Sequence, residues 1–234
     1  MKALLVLVLA LGACRQEPEH VTFGATASMR HAMPDLVARY HATGGPAIEV
    51  TYASSDRIAE LVQAGTALDG VILADEVSLD QIATESSRVI ATNAIVLVGP
   101  AGTTTTFASI GDGKLVIGDP SHVPVGRYAK QYLERIGRWD AVAHRLVLGG
   151  DVTGVLSLAK RNAALAVIYR TDLVDAAPLV SLDEPADAPV VTYSAGVIRG
   201  ARHAAAARAF TDFLISREGQ EVLARHRFSP PPQR

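Results

Sequence analysis

Along this chain a short apolar run is followed by a cluster of Ser, Thr or Asp and then by apolar residues at helical spacing, and the unit recurs. Val21 to Ala25 reads as a buried strand, Thr26-Ala27-Ser28 follows, and Met33, Leu36, Val37 and Tyr40 fall at i, i+3, i+4 and i+7. Ser28 is therefore a candidate helix start. Ile48 to Ala53 repeats the strand and Ser54-Ser55-Asp56 the cap residues. Ile58, Leu61 and Val62 form the next stripe, closed by Gly65, and Val71 to Leu73 is a third strand. Alternation of this kind predicts an α/β fold with a largely parallel sheet, whose ligands gather at the carboxyl ends of the strands.

The pattern continues through the second half. Ala94 to Val98 is a further apolar run, after which Gly99 to Gly113 is rich in Gly, Thr and Ser, and a lobe boundary is expected near there. Leu115 to Gly118 restarts the alternation. It leads through Val123-Pro124-Val125-Gly126 to a helix with Tyr128, Ala129, Tyr132, Leu133 and Ile136 on one face. Asp151 precedes a stripe of Val152, Val155, Leu156 and Ala159, and Ala164 to Tyr169 returns as a strand. Val190 to Ile198 is the last strand, Ala204 to Ile215 an alanine-rich helix, and Pro230 to Pro232 a tail.

Composition removes several classes of function. With 22 Lys and Arg against 24 Asp and Glu, the chain lacks the basic excess that counterion release from nucleic acid requires. One cysteine rules out a disulfide framework, and 234 residues can bury a core without one. The histidines at 20, 31, 41, 122, 144, 203 and 226 show no H-x-H or H-x-x-x-H pairing, so no transition-metal cation site is expected. Thr192-Tyr193-Ser194-Ala195-Gly196 approaches a nucleophile elbow but has Thr where the first glycine must be. Gly149 and Gly154 have the spacing of a phosphate-binding loop, yet Val155 and Leu156 replace its Lys and Ser/Thr. No enzymatic activity is expected.

The amino terminus is an address. Met1-Lys2 precedes nine apolar residues, Ala3 to Leu11, too short to span a bilayer and typical of a secretory signal. Leu11-Gly12-Ala13-Cys14 resembles the lipobox of bacterial lipoproteins, which implies that residues 1–13 are a signal peptide, that Cys14 is acylated, and that 14–20 is a tether to a membrane.

Four strand-to-helix junctions place Ser28, Ser55, Val125 and Val152 at or near helix N-termini. Main-chain N–H groups there lack intrahelical partners and the macrodipole favours an anion, although capping alone accounts for many such junctions. A longer motif narrows the choice. Gly118-Asp119-Pro120-Ser121-His122-Val123-Pro124-Val125-Gly126-Arg127-Tyr128-Ala129-Lys130 resembles the G-D-P-x-x-V-P-A-G-x-Y-A-K signature of periplasmic molybdate-binding proteins of ABC importers. Phe23 to Ser28 is similar to that family's F-A-A-A-S, Tyr52-Ala53-Ser54-Ser55 to its F-A-S-S, and Leu73-Ala74-Asp75 to its I-S-A-D. Gly137 to Asp140, Asp151-Val152 and Val167 to Asp172 extend the likeness over Val21 to Phe228.

The resemblance implies a two-lobed periplasmic binding protein fold of type II. Each lobe would hold a mixed, mostly parallel sheet flanked by helices, with two hinge crossings: residues 21–96 in the first lobe, 97–194 in the second, and 195–234 returning to the first. It implies that a molybdate or tungstate oxyanion is held in the cleft by Ser28, Ser55, Val125, Val152 and Tyr169, molybdenum entering only as oxyanion and with no cofactor. The partners implied are an ABC importer permease and a membrane reached through the lipid on Cys14, with the protein a periplasmic or cell-surface monomer. Sulfate, phosphite or a phosphonate as ligand, and an anchored sensing domain, are the alternatives. The chain departs from the family at Asp56, usually a neutral residue, and such an acid is compatible with a bound anion if it caps its own helix. Thr153 replaces a common Arg, Leu68-Asp69-Gly70-Val71 the usual P-A-D-x-F, and Val77 to Asn93 is shorter than in the family.

Overall fold

The computed structural model describes residues 20–232, so the signal peptide, Cys14 and all of the tether except His20 lie outside the described residues. The first lobe begins with β1 (Val21–Thr26), α1 (Ala32–Ala42), β2 (Ile48–Ala53), α2 (Ser55–Gln63), β3 (Gly70–Leu73), α3 (Glu76–Leu79) and β4 (Thr84–Asn93). The second lobe comprises β5 (Ile95–Pro100), β6 (Leu115–Gly118), α4 (Pro124–Arg135), α5 (Trp139–Ala143), β7 (Leu146–Gly149), α6 (Val152–Asn162), β8 (Leu165–Tyr169) and β9 (Leu179–Asp183). β10 (Val191–Ile198), α7 (Ala204–Ile215) and α8 (Arg217–Arg225) complete the first.

The two lobes share one strand plan. The first sheet runs β2-β1-β3-β10-β4 and the second β7-β6-β8-β5-β9. In each, the first three strands are parallel and the fourth is antiparallel to both its neighbours. That fourth strand is the one arriving from the other lobe. Parallel neighbours need helical crossovers, and an arriving strand can be inserted the other way round. The three parallel strands therefore point their carboxyl ends, with the helix starts that follow them, toward the other lobe.

The crossings differ from expectation. β5 pairs from Ile95 onward with β8, so the first crossing is at Ala94, not between residues 96 and 97. Val191 already pairs with Asn93 of β4, so the return lies within residues 184–190 and not after Ser194. The Gly- and Thr-rich stretch after Gly99 is a loop inside the second lobe. A turn-rich composition marks a change of direction; passage between lobes needs only one residue between two ladders. The C-terminal tail is also stitched down, since Thr92 exchanges main-chain hydrogen bonds with Ser229 and donates its hydroxyl to the Pro230 carbonyl at 3.1 Å.

Each sheet is buried by its own helices. Phe23 of β1 meets Phe210 of α7 edge-on with centroids 5.1 Å apart, and Tyr40 of α1 packs on the same ring. In the second lobe Phe107 stands edge-on to Tyr132 of α4 at 5.0 Å. Gly126 lets α4 start close against β6: a Cβ there would lie 2.0 Å from the Gly118 carbonyl oxygen.

Candidate functional site

Facing carboxyl ends leave a small hollow between the lobes, walled by Thr26, Ala27, Ser28 and Ser54 of the first lobe and by Val123 to Val125, Asp151, Val152 and Tyr169 of the second. The structure thus brings together four of the five residues read from the sequence: Ser28, Val125, Val152 and Tyr169, all buried. Ser54 lines the hollow in place of Ser55, which is itself fully buried one position further on.

Each arrives by a different local route. Ser28 follows β1 within a single 3-10 turn, Ala27–Met29, and α1 starts only at Ala32, so Ser28 is not the cap of α1 that its position suggested. Ser54 is the N-cap of α2, accepting from the Arg57 N–H at 3.3 Å, and Ser55 is that helix's first residue. Pro124 opens α4, where a missing N–H costs no helical bond, and Val125 comes second. Val152 opens α6 behind Asp151, whose carboxylate accepts from the Gly154 N–H at 2.7 Å and is thereby occupied by its own helix. The amides of Ser55, Val125 and Val152 all belong to first helical turns, which have no intrahelical acceptor.

The hydroxyls are wired as donors. The Asn93 side-chain oxygen accepts from the Ala94 N–H at 2.9 Å, which leaves its amide nitrogen to donate to Thr171 Oγ1 at 2.9 Å and to Tyr193 Oη at 3.3 Å. Tyr193 Oη sits 2.7 Å from Ser28 Oγ. With its acceptor side taken by Asn93, Tyr193 gives its proton to Ser28, and the Ser28 hydroxyl is free to donate into the hollow. Burial raises the Tyr193 phenol far above its ordinary range, so that proton stays in place. Ser55 follows the same logic: its Oγ accepts from the Ala74 N–H at 3.1 Å, so its own hydrogen remains to be given. Tyr169 lacks any such partner. Its Oη is buried and makes no hydrogen bond among the described residues, and its phenol is held well above the ordinary range by burial. A buried hydroxyl without a partner is costly, and here it belongs to a residue lining the hollow.

Asp56 does not cap α2, whose N-cap is Ser54, so its compatibility with an anion has to come from elsewhere. Its two oxygens receive Arg127 Nη1 and Nη2 from the opposite lobe at 2.9 and 3.0 Å. A second bridge runs the other way, from Arg30 of the first lobe to Asp172 at 3.0 Å and Asp175 at 2.6 Å in the second. Sequence reading passed over Asn93, Tyr193, Arg30 and Arg127 as functional residues. Their partners lie tens of residues away or more, and no local pattern marks them. Among the described residues no three His, Cys, Asp or Glu side chains converge as a cation site would require.

Comparison with known proteins agrees with this architecture. Residues 21–229 match the model of the bacterial extracellular solute-binding protein family. The molybdate-binding protein ModA of Escherichia coli is 31% identical over 228 residues, covering 89% of this chain and 88% of its own. That of Haemophilus influenzae is 32% identical over 245 residues, covering 96% and 95%. The solved structure of the Azotobacter vinelandii periplasmic molybdate-binding protein superposes with a TM-score of 0.79 at 18% identity, over 91% of this chain and all of that one. Solute capture, not catalysis, is the activity of this family. The chain belongs to the bacterial extracellular solute-binding proteins and is related to the ModA proteins over nearly its whole length.

Proposed function

We propose that this protein captures molybdate or tungstate in the interlobe hollow and delivers it to an ABC importer, held at the membrane by an acylated Cys14. The observation that carries the reading is Tyr169 Oη, a buried donor without a partner among the described residues, on a residue that lines the hollow together with Ser28 and the helix starts at Val125 and Val152. Ser28, Val125, Val152 and Tyr169 would bind directly, and Ser55 through its main-chain N–H and its free hydroxyl hydrogen. Hydrogen bonds to a charged group contribute about 1.5–3 kcal/mol each, so the three hydroxyls and four N–H groups of these residues offer roughly 10–20 kcal/mol, from which ordering and closure are subtracted before comparison with the roughly 8 kcal/mol of micromolar affinity.

A pocket rich in donors suits molybdate, tungstate and sulfate, which carry no proton near neutral pH. It disfavours hydrogenphosphate, whose own O–H has only the Asp151 carboxylate to meet, one oxygen of which is already taken by the Gly154 N–H. Calorimetric titration of the mature protein with molybdate, tungstate, sulfate and phosphate tests this. We expect sub-micromolar molybdate or tungstate and at least tenfold weaker phosphate. Sulfate binding tightest would reassign the ligand, and no heat with any of the four would overturn the reading.

A further inference from the structure

Within the reading above, we infer that Arg127 is a positioning residue that makes the cleft hospitable to a dianion by cancelling two carboxylates of the opposite lobe. Arg127 lies two residues after Val125 on α4, and its guanidinium reaches across to α2 and α3. Nη1 and Nη2 fork onto Asp56 at 2.9 and 3.0 Å. Nε meets Asp75 Oδ2 at 2.9 Å, Nη2 also contacts that oxygen, and Nη2 is 3.1 Å from Ser78 Oγ. Ser78 donates its hydroxyl to Asp56 and its N–H to Asp75 Oδ1, the latter at 2.9 Å. Every oxygen of both carboxylates is therefore engaged. Their side chains are only 11% and 6% exposed, so water does little to screen them.

The placement of these acids makes them a problem for an anion. Asp56 follows Ser55 in the first turn of α2, and Asp75 follows Ala74, whose N–H orients the Ser55 hydroxyl. Left alone, the pair would set two negative charges beside donors meant for a doubly negative guest. One planar fork that binds both neutralises half of that charge and draws the other half toward the second lobe. The guanidinium also links α4, which carries Val125, to α2, which carries Ser55.

The test is titration with sodium molybdate of the wild type, Arg127→Met, Asp56→Asn and Arg127→Met/Asp56→Asn. Stripping the cation from a desolvated pair carries penalties that correspond to a loss of about 30-fold or more in affinity. We expect that loss in Arg127→Met, recovery of most of it in the double variant, and in Asp56→Asn alone binding no weaker than wild type. A purely mechanical clasp makes the opposite forecast: Asp56→Asn would bind less well and would not rescue. Wild-type affinity in Arg127→Met, or a double variant no better than Arg127→Met, overturns the inference while leaving the ligand assignment standing. A wild type that takes up no molybdate overturns both.

Discussion

Two arginines cross the cleft in opposite directions, and their bridges are built differently. Arg127 leaves the second lobe for Asp56 and Asp75 and finds all four carboxylate oxygens satisfied, with Ser78 completing the set. Arg30 leaves the first lobe for Asp172 and Asp175, with His31 also on Asp175 at 2.7 Å, yet Asp172 Oδ2 is buried and has no hydrogen-bond partner among the described residues. Burial pushes the Asp172 carboxyl up to about 7, and the Arg30 guanidinium only partly restrains that rise. The difference separates two uses of a buried acid. A saturated pair keeps charge fixed and off the pocket, whereas an unsaturated one holds a group that can take up a proton within the physiological range.

The largest effect that can break this contrast is removal of Arg30. Asp172 is wholly buried and its carboxyl is pushed up to about 7 even beside Arg30, so Arg30→Met drives it higher and obliges a group still ionised at pH 8 to take up a proton on folding, a loss of about 1–3 kcal/mol. We expect that loss in denaturant melts at pH 8 and a clearly smaller one at pH 5, where Asp172 escapes by protonation. Equal losses at both pH values would show that Arg30 acts by packing, and the two bridges would then not differ in kind.

A second, smaller effect concerns the wild type. The carboxyl of Asp172 titrates at about 7 when folded and near 3.8 in a free chain, so between these limits the folded state holds more protons than the unfolded one. Its contribution to stability is therefore greatest below about pH 4 and falls as the pH rises toward 7. Asp175 works in the opposite sense: although burial opposes it, hydrogen bonds from Arg30 and His31 hold its carboxyl below the usual range, and its contribution fades only under acid. The groups facing Asp172 are Arg30, His31, Asp175 and Tyr193. Asp172→Asn should flatten the decline of melting temperature between pH 5 and 7, and an unchanged slope would assign it to a neighbour.

The bridges also show what can be read in a sequence of this kind. The βα units were legible because each is written locally: Met33, Leu36 and Tyr40 sit on one face of α1, and α7 runs over the Ala204–Ile215 span that its composition outlined. Ser55, Val125 and Val152 were legible as helix starts that come after strands, whereas Ser28 sits in a 3-10 turn and Tyr169, at the end of β8, was reached only through the family motif. The hinge was not, since Ala94 is a single residue with no composition of its own. Arg127 occupies a variable place in an otherwise recognisable motif, and its acids lie 71 and 52 positions away. Asp56 stood out as anomalous, and only the opposite lobe supplies the reason it is tolerated. Tyr193 was visible as part of a failed nucleophile elbow, although its hydroxyl serves Ser28, 165 residues earlier.

Tyr169 and Tyr193 carry the comparison into the pocket, because one phenol has no protein partner and the other has two. With molybdate bound as proposed, Tyr169→Phe removes a donor to it and should weaken binding by about tenfold or more. It also deletes a buried unpaired hydroxyl, so the ligand-free protein should melt no lower than wild type. Tyr193→Phe touches no ligand. It strips Ser28 of the proton that fixes its role, and the Ser28 hydroxyl can then turn away from the hollow. The expected loss is only about threefold to fivefold, one net hydrogen bond's worth, accompanied by lower stability of the ligand-free protein, since Asn93 loses an acceptor. The two variants should thus move stability and affinity differently: Tyr169→Phe lowers affinity alone, Tyr193→Phe lowers both. If Tyr193→Phe matched the wild type in both measurements, Ser28 would need no relay to present its hydrogen, and the donor-rich character of the pocket would have to come from the main chain.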